Sequence, residues 1–255
     1  MPFVCGGHPS PASFERVLPA LERAGASIVE IGFPFSDPIA DGPVIAAAMH
    51  EVLQMGTTPA SVIEGVARAR KGGLRLGLVA MVSVSIVHRL GAERLARDAS
   101  TAGFDGFIFP DAPLEEAERF IAPVREAGLT ASLLIAPTTP PERARAIAKA
   151  CTGFVYMLAR VGITGGDGHV DVSGMRRRVA ELRTVTDLPI ACGFGIASPD
   201  QVRSVVAPPE RDGAGADAAI VGSALVKRMG KAAKSGADPV EDAEAFVRAL
   251  AAVLV

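Results

Sequence analysis

The chain has 255 residues, 49% hydrophobic and 21% charged, with 26 basic against 28 acidic residues and a formal charge of −2. That balance excludes a disordered chain, and with no Trp and a single Tyr it offers neither the basic footprint nor the stacking rings of a nucleic-acid surface. No apolar run approaches the ~18 residues needed to span a bilayer, and the start has neither a basic leader nor a long apolar stretch. Cys5, Cys151 and Cys192 are an odd set without metal-ligand spacing, as in a reducing compartment. A cytoplasmic protein that handles a small molecule is expected, with no nucleic-acid or membrane partner.

The first strand-length apolar run is 2–5. Ser10-Pro11 opens a helix whose Phe14, Val17, Leu18 and Leu21 recur at helical spacing until Gly25, and a strand follows at 27–31. Thr58-Pro59 opens another helix before the strand at 75–82, and Gly103 stands before the strand at 105–109. Gly128 precedes the strand at 131–135, Thr139-Pro140 opens the next helix, and Gly153 heads the strand at 153–158. Strands at 188–193 and 217–222 flank the Ser198-Pro199 opening, and Asp238-Pro239 begins an amphipathic closing helix over 240–254. The small polar residue accepts hydrogen bonds from free backbone N–H groups, Pro supplies a pre-set φ at the first helical position, and Gly stops the helix in the left-handed region.

Several of these runs are apolar on both faces, the mark of buried parallel strands. Eight strands alternating with helices predict a single α/β domain over 1–255, a (β/α)8 TIM barrel with a parallel eight-stranded sheet. The competitor, an open doubly wound sheet, requires G-x-G-x-x-G after the first strand. The nearest match, at 193–198, follows the seventh strand and lacks the third Gly.

A barrel's active site lies at the C-terminal ends of its strands. Glu30 interrupts an apolar strand there, sharing a face with Ile28 and Gly32. If Val29 and Ile31 pack on helices, Glu30 looks into the barrel mouth, where desolvation suits it to acid–base work. The alternative is a strand-end Glu that reaches out to a salt bridge. Asp37 and Asp41 follow in a Pro-bounded loop, either as turn formers or as a second carboxylate that separates acid and base roles. Gly193-Phe194-Gly195, Gly222-Ser223 and the Gly-rich stretch 162–168 cluster late in the chain, where barrels hold phosphate on free backbone N–H groups. His8, His50, His88 and His169 are scattered, so no metal is expected. Cys5, beside His8, reads as a buried structural thiol, and Arg176-Arg177-Arg178 as a solvated helix face.

Residues 30–43, Glu-Ile-Gly-Phe-Pro-Phe-Ser-Asp-Pro-Ile-Ala-Asp-Gly-Pro, resemble the signature of the tryptophan synthase alpha subunit family. Pro110-Asp111-Ala112-Pro113-Leu114-Glu115-Glu116, Ala136-Pro137-Thr138-Thr139, the run 156–165, Gly193-Phe194-Gly195-Ile196 and Val221-Gly222-Ser223-Ala224 continue the match in family order over almost the whole chain. The resemblance implies the same barrel and the retro-aldol cleavage of indole-3-glycerol phosphate to indole and glyceraldehyde 3-phosphate. It needs no cofactor, and its partner is a beta subunit in a heterotetramer. By the same resemblance, Glu30 is the general acid/base and Asp41 holds the indole N–H. Tyr156 and Thr164 position the carboxylates and lid. Gly165, Gly195, Gly222 and Ser223 hold phosphate, and Phe3, Leu134 and Phe194 wall the indole. Two features depart from the family. Met1 stands directly before the first strand, where the family has a helix closing the barrel's bottom. After the third strand, Met81-Val82-Ser83-Val84-Ser85-Ile86 replaces the family's Met-Thr-Tyr-x-Asn-Pro, in a loop that faces the beta subunit.

Overall fold

A computed structural model describes residues 1–38, 41–158, 172–193, 195–206 and 215–254. The predicted strands form as β1 (Phe3–Cys5), β2 (Ile28–Gly32), β3 (Gly77–Met81), β4 (Gly106–Phe109), β5 (Thr130–Ile135), β6 (Val155–Leu158), β7 (Ile190–Gly193) and β8 (Ala218–Ile220). They pair in sequence order, all parallel. Phe3 N donates to Val221 O and Val221 N to Met1 O, each at 2.9 Å, so the last strand returns to the first and the barrel closes.

Around the strands run α1 (Pro11–Arg23), α2 (Pro43–Gln54), α3 (Pro59–Lys71), α4 (Val84–Leu90), α5 (Ala92–Ala102) and α6 (Glu118–Glu126). They are followed by α7 (Pro141–Ala150), α8 (Val172–Arg183), α9 (Pro199–Val205), α10 (Ser223–Lys234) and α11 (Pro239–Ala251). Ser10, Thr58, Ser198 and Asp238 cap their helices through the side chain, as the sequence predicts. Thr139 does not. The residue before a proline is driven out of the helical region, so Pro140 is extended (ψ 147°) and α7 begins one residue later, at Pro141. The Thr139 hydroxyl instead accepts from Ala136 N at 3.0 Å.

Gly25, Gly103 and Gly128 stop their helices with positive φ, whereas Gly153 does not. Gly153 is there for closeness: a Cβ on it would lie 2.7 Å from Thr130 Oγ1. The basic triplet of α8 is also less solvated than expected, because half-buried Arg178 donates to the Thr139 carbonyl at 2.9 Å.

The alternation of β2 resolves as the apolar pattern requires. Val29 and Ile31 join Val17, Leu18 and Leu21 of α1 in the layer between strands and helices. Each such fully buried Val or Leu contributes roughly 1.5–3 kcal/mol. Val79, Ile108, Tyr156 and Ile220, from four different strands, fill the barrel interior, and Glu30 faces the same side.

Candidate active site

A cavity of about 580 Å³ opens at the C-terminal ends of the strands. Glu30, Asp41, Tyr156, Gly195, Gly222, Ser223, Phe3 and Leu134 all border it, whereas Asp37, the other loop carboxylate that the sequence offered, does not and lines a separate small pocket with Ser83 and Asp111. Thr164, Gly165 and Phe194 lie outside the described residues.

Glu30 is fully buried (0% exposed), and neither carboxyl oxygen has a hydrogen-bond partner among the described residues. The salt-bridge alternative is thereby removed. Its Cα partners are Phe3 on β1 and Val79 on β3, which surround it with hydrocarbon. Water is excluded from the charged form, and the pKa is pushed up to about 8. The carboxyl is therefore a proton donor at neutral pH.

Asp41 is half-buried at the edge of the same cavity, and its N–H donates to Pro38 O at 3.0 Å, a turn bond. The backbone turns here, as one reading of this residue expects, and the residue also borders the cavity. Desolvation, and next the like charge of Asp111, raise its pKa to about 6. One cavity thus holds two carboxyls whose surroundings separate their charge states, the arrangement that assigns acid and anion roles.

Tyr156 is buried, and desolvation, then the fields of Glu30 and Asp41, hold its phenol well above the usual range. It remains a neutral hydroxyl beside both acids. Gly193 makes room for it: a Cβ there would lie 3.1 Å from the Tyr156 hydroxyl. Gly32 does the same for Phe3, whose ring tip would lie 2.4 Å from such a Cβ.

Ser223 opens α10, and its buried hydroxyl has no partner among the described residues. The first turn of α10 has no acidic residue, so its free N–H groups present uncompensated positive charge. Gly222 precedes it, and Gly195 turns the chain above β7 with φ +67°. Buried hydroxyl, helix terminus and bare glycines border the same cavity as the two carboxyls.

Sequence reasoning did not single out three contributors. Asp111 accepts from the Ser83 hydroxyl at 2.6 Å and from Val84 N at 2.9 Å, which ties the end of β4 to the start of α4. Ile45 of α2 and Arg143 of α7 also border the cavity, the latter paired to Glu115 at 2.8 Å. An acid just after a strand-length apolar run, at the strand end where a barrel's site is expected, was the available signal for Asp111. Cys5 is a buried thiol whose pKa desolvation pushes up, as expected of a structural residue.

Comparison with known proteins yields one consistent family. The model described as "Tryptophan synthase alpha chain" matches residues 1–255. A tryptophan synthase alpha chain of Prochlorococcus marinus is 43% identical over 233 residues, covering 91% of this chain and 82% of that relative. The solved tryptophan synthase subunit alpha of Legionella pneumophila superposes with a TM-score of 0.87 at 28% identity, covering 99% of this chain and 91% of that one. A Mycobacterium tuberculosis tryptophan synthase structure gives 0.86 at 30% identity, covering 99% and 91%.

Proposed function

This chain belongs to the tryptophan synthase alpha chain family, and from that premise we propose how its residues carry the reaction. It is a carbon–carbon lyase of tryptophan biosynthesis that cleaves indole-3-glycerol phosphate to indole and glyceraldehyde 3-phosphate. The bond that breaks joins indole C3 to the first carbon of the glycerol phosphate chain. For it to break, C3 must gain a proton and the adjacent hydroxyl must lose one.

In our reading the protonated Glu30 carboxyl delivers its proton to C3. The ring then carries positive charge at its nitrogen, and ionised Asp41, accepting the indole N–H, stabilises it. The Glu30 carboxylate takes the hydroxyl proton as the C–C bond electrons return to the ring, the aldehyde leaves and the acid is regenerated. A fixed anion acting on charge that develops only in the transition state accelerates the step itself. Tyr156 orients the two acids without adding charge. Phe3 and Leu134 flank the indole plane, with Phe194 as a third wall. Ser223, Gly222 and Gly195, joined by Gly165, hold the phosphate, and Thr164 belongs to the closing lid.

One observation supports this reading most: a fully buried carboxyl and a buried hydroxyl at a helix N-terminus, neither partnered among the described residues, share one cavity. A ligand apolar in the middle and anionic at one end answers both. The test is direct assay of the purified chain on indole-3-glycerol phosphate, beside triose and sugar phosphates that lack the ring. Turnover confined to the indole substrate is expected, and turnover of the others alone would reject the assignment.

Membership of the family brings a beta-subunit partner. We propose an alpha–beta heterotetramer, with residues 1–255 acting as one barrel domain. Among the described residues no helix is long and apolar enough to cross a membrane, and a cytoplasmic place fits the biosynthetic role.

A further inference from the structure

His8, in the turn after β1, is 4% exposed, and both ring nitrogens are buried without a well-formed hydrogen bond to any of the described residues. Buried polar atoms are nearly always bonded, whereas the acceptors offered to this imidazole, the Val226 carbonyl and Glu51, fall short of full hydrogen-bond geometry. Its surroundings come from two helices. Glu51 of α2 places Oε2 3.9 Å from Nδ1, about 1 Å beyond a hydrogen bond. From α10 the Val226 carbonyl faces the ring, and Gly230 leaves a notch for it, a Cβ there lying 3.4 Å from Nε2. Lys234 of α10 is the other charge nearby and already binds Glu51 at 2.9 Å.

These two helices are the ones that serve the site. α2 begins just beyond Asp41, and α10 begins at Ser223. Below the cavity they meet through Ile45, Met49 and Val226, packed on Phe3 and Cys5.

We propose that His8 is a positioning residue and latch: when ligand draws Asp41 and the start of α10 together, α2 and α10 approach, His8 completes its bond to Glu51, and the closed spacing is held. This rests on the reading above, in which Asp41 and Ser223 grip opposite ends of one ligand. The 3.9 Å gap is the open position, and a shift of about 1 Å closes it. Helices move as rigid bodies, so a bond at Glu51 is felt at the start of α2, roughly 12 Å away at 1.5 Å per residue.

Linkage supplies the test. In the open position burial lowers the His8 pKa, Glu51 and the Val226 carbonyl oppose the shift, and the Lys234 charge adds to it. Pairing with Glu51 favours the protonated ring, so ligand binding must move the His8 titration to higher pH, and protonation must in return tighten binding. The probe is indole-3-propanol phosphate, which carries ring and phosphate but has no hydroxyl to release. NMR of the labelled imidazole in the full chain should show the midpoint rising when the probe binds, and no rise in Glu51→Gln.

His8→Phe keeps the ring volume and removes both nitrogens. It should bind the probe about fivefold more weakly with kcat within about twofold, whereas His8→Asn, which retains a donor near the Nδ1 position, should bind close to wild type. A His8 titration unmoved by tight probe binding overturns the latch alone, and so does His8→Phe binding as tightly as wild type. Failure of the wild-type chain to bind the probe at all overturns both the latch and the reading of the site on which it rests. Should His8→Phe not fold, the wild-type titration decides.

Discussion

Phe3 and Glu30 are Cα partners in the β1–β2 ladder, so a phenyl ring and a carboxyl group stand side by side on the inner face of the barrel. The pairing explains both residues. The ring helps to keep water from the acid, and the acid gives an otherwise apolar wall one proton to donate.

Replacing Glu30 by Gln should remove the proton donor and leave the shape. Cleavage is expected to fall about 10²-fold or more, the size of a lost general acid, with binding of indole-3-propanol phosphate within about twofold of wild type. Steady-state kinetics and calorimetry on the same sample check this.

The same carboxyl makes stability depend on pH, and the sign follows from its raised pKa. The folded chain holds the Glu30 proton up to pH about 8, whereas an unfolded Glu releases it near its ordinary value of 4.5. Between those two values the folded state binds more protons than the unfolded one. The stability that this group lends is therefore complete below 4.5 and lost as pH rises through about 8. Glu30→Leu should remove that slope and stabilise the chain at pH 8 by about 1–4 kcal/mol, as buried ionic groups often do when made apolar. Thermal denaturation from pH 5 to 8 measures it, and a wild-type curve that climbs over this range contradicts the assignment.

With Asp41 raised to about 6 and Glu30 to about 8, kcat/KM should rise as pH climbs through the first value and fall through the second. Asp41→Asn should lose the acid limb and lower the plateau by roughly 10- to 100-fold, in line with loss of one charge-stabilising group.

Asp111 sharpens that prediction. It is the like charge that adds to the upward shift of Asp41, and Ser83 and Val84 N hold it in place. Asp111→Asn should move the acid limb to lower pH, since Asp41 then ionises more easily. Ser83→Ala, which removes one hydrogen bond to a charged group, should cost about 1.5–3 kcal/mol in a denaturant titration.

Ser223→Ala separates grip from chemistry. The hydroxyl has no partner to lose among the described residues, so stability should stay within about 0.5 kcal/mol. KM for indole-3-glycerol phosphate should rise about tenfold, and that for the dephosphorylated substrate should not move. The expected loss is one hydrogen bond to a charged phosphate.

The strand and helix order was legible because each unit announces itself locally. Apolar runs of strand length, helices opened by Ser, Thr or Asp before Pro, and glycine stops lie within short windows, and caps such as Ser10 and Ser198 formed as read. Where a local rule failed, a stronger neighbour had overridden it. Pro141 displaced the Thr139 opening, and Thr130 required a bare Gly153. Helix α2 escaped notice because Gly42 begins it without a side-chain cap. The tie between Ser83 and Asp111 escaped because it spans two units of the barrel.

By itself, the sequence determined that eight strand–helix units would close into a barrel and that Glu30 and Asp41 would sit at its rim, since hydrophobic period and strand-end position are properties of neighbouring residues. It left undecided whether Glu30 would be a buried acid or a solvated ion. Only the tertiary structure decided that, by bringing Phe3, Val79, Tyr156 and Ile220 from distant strands around one carboxyl. Desolvation depends on everything that surrounds a charge, and most of what surrounds this one lies far away along the chain.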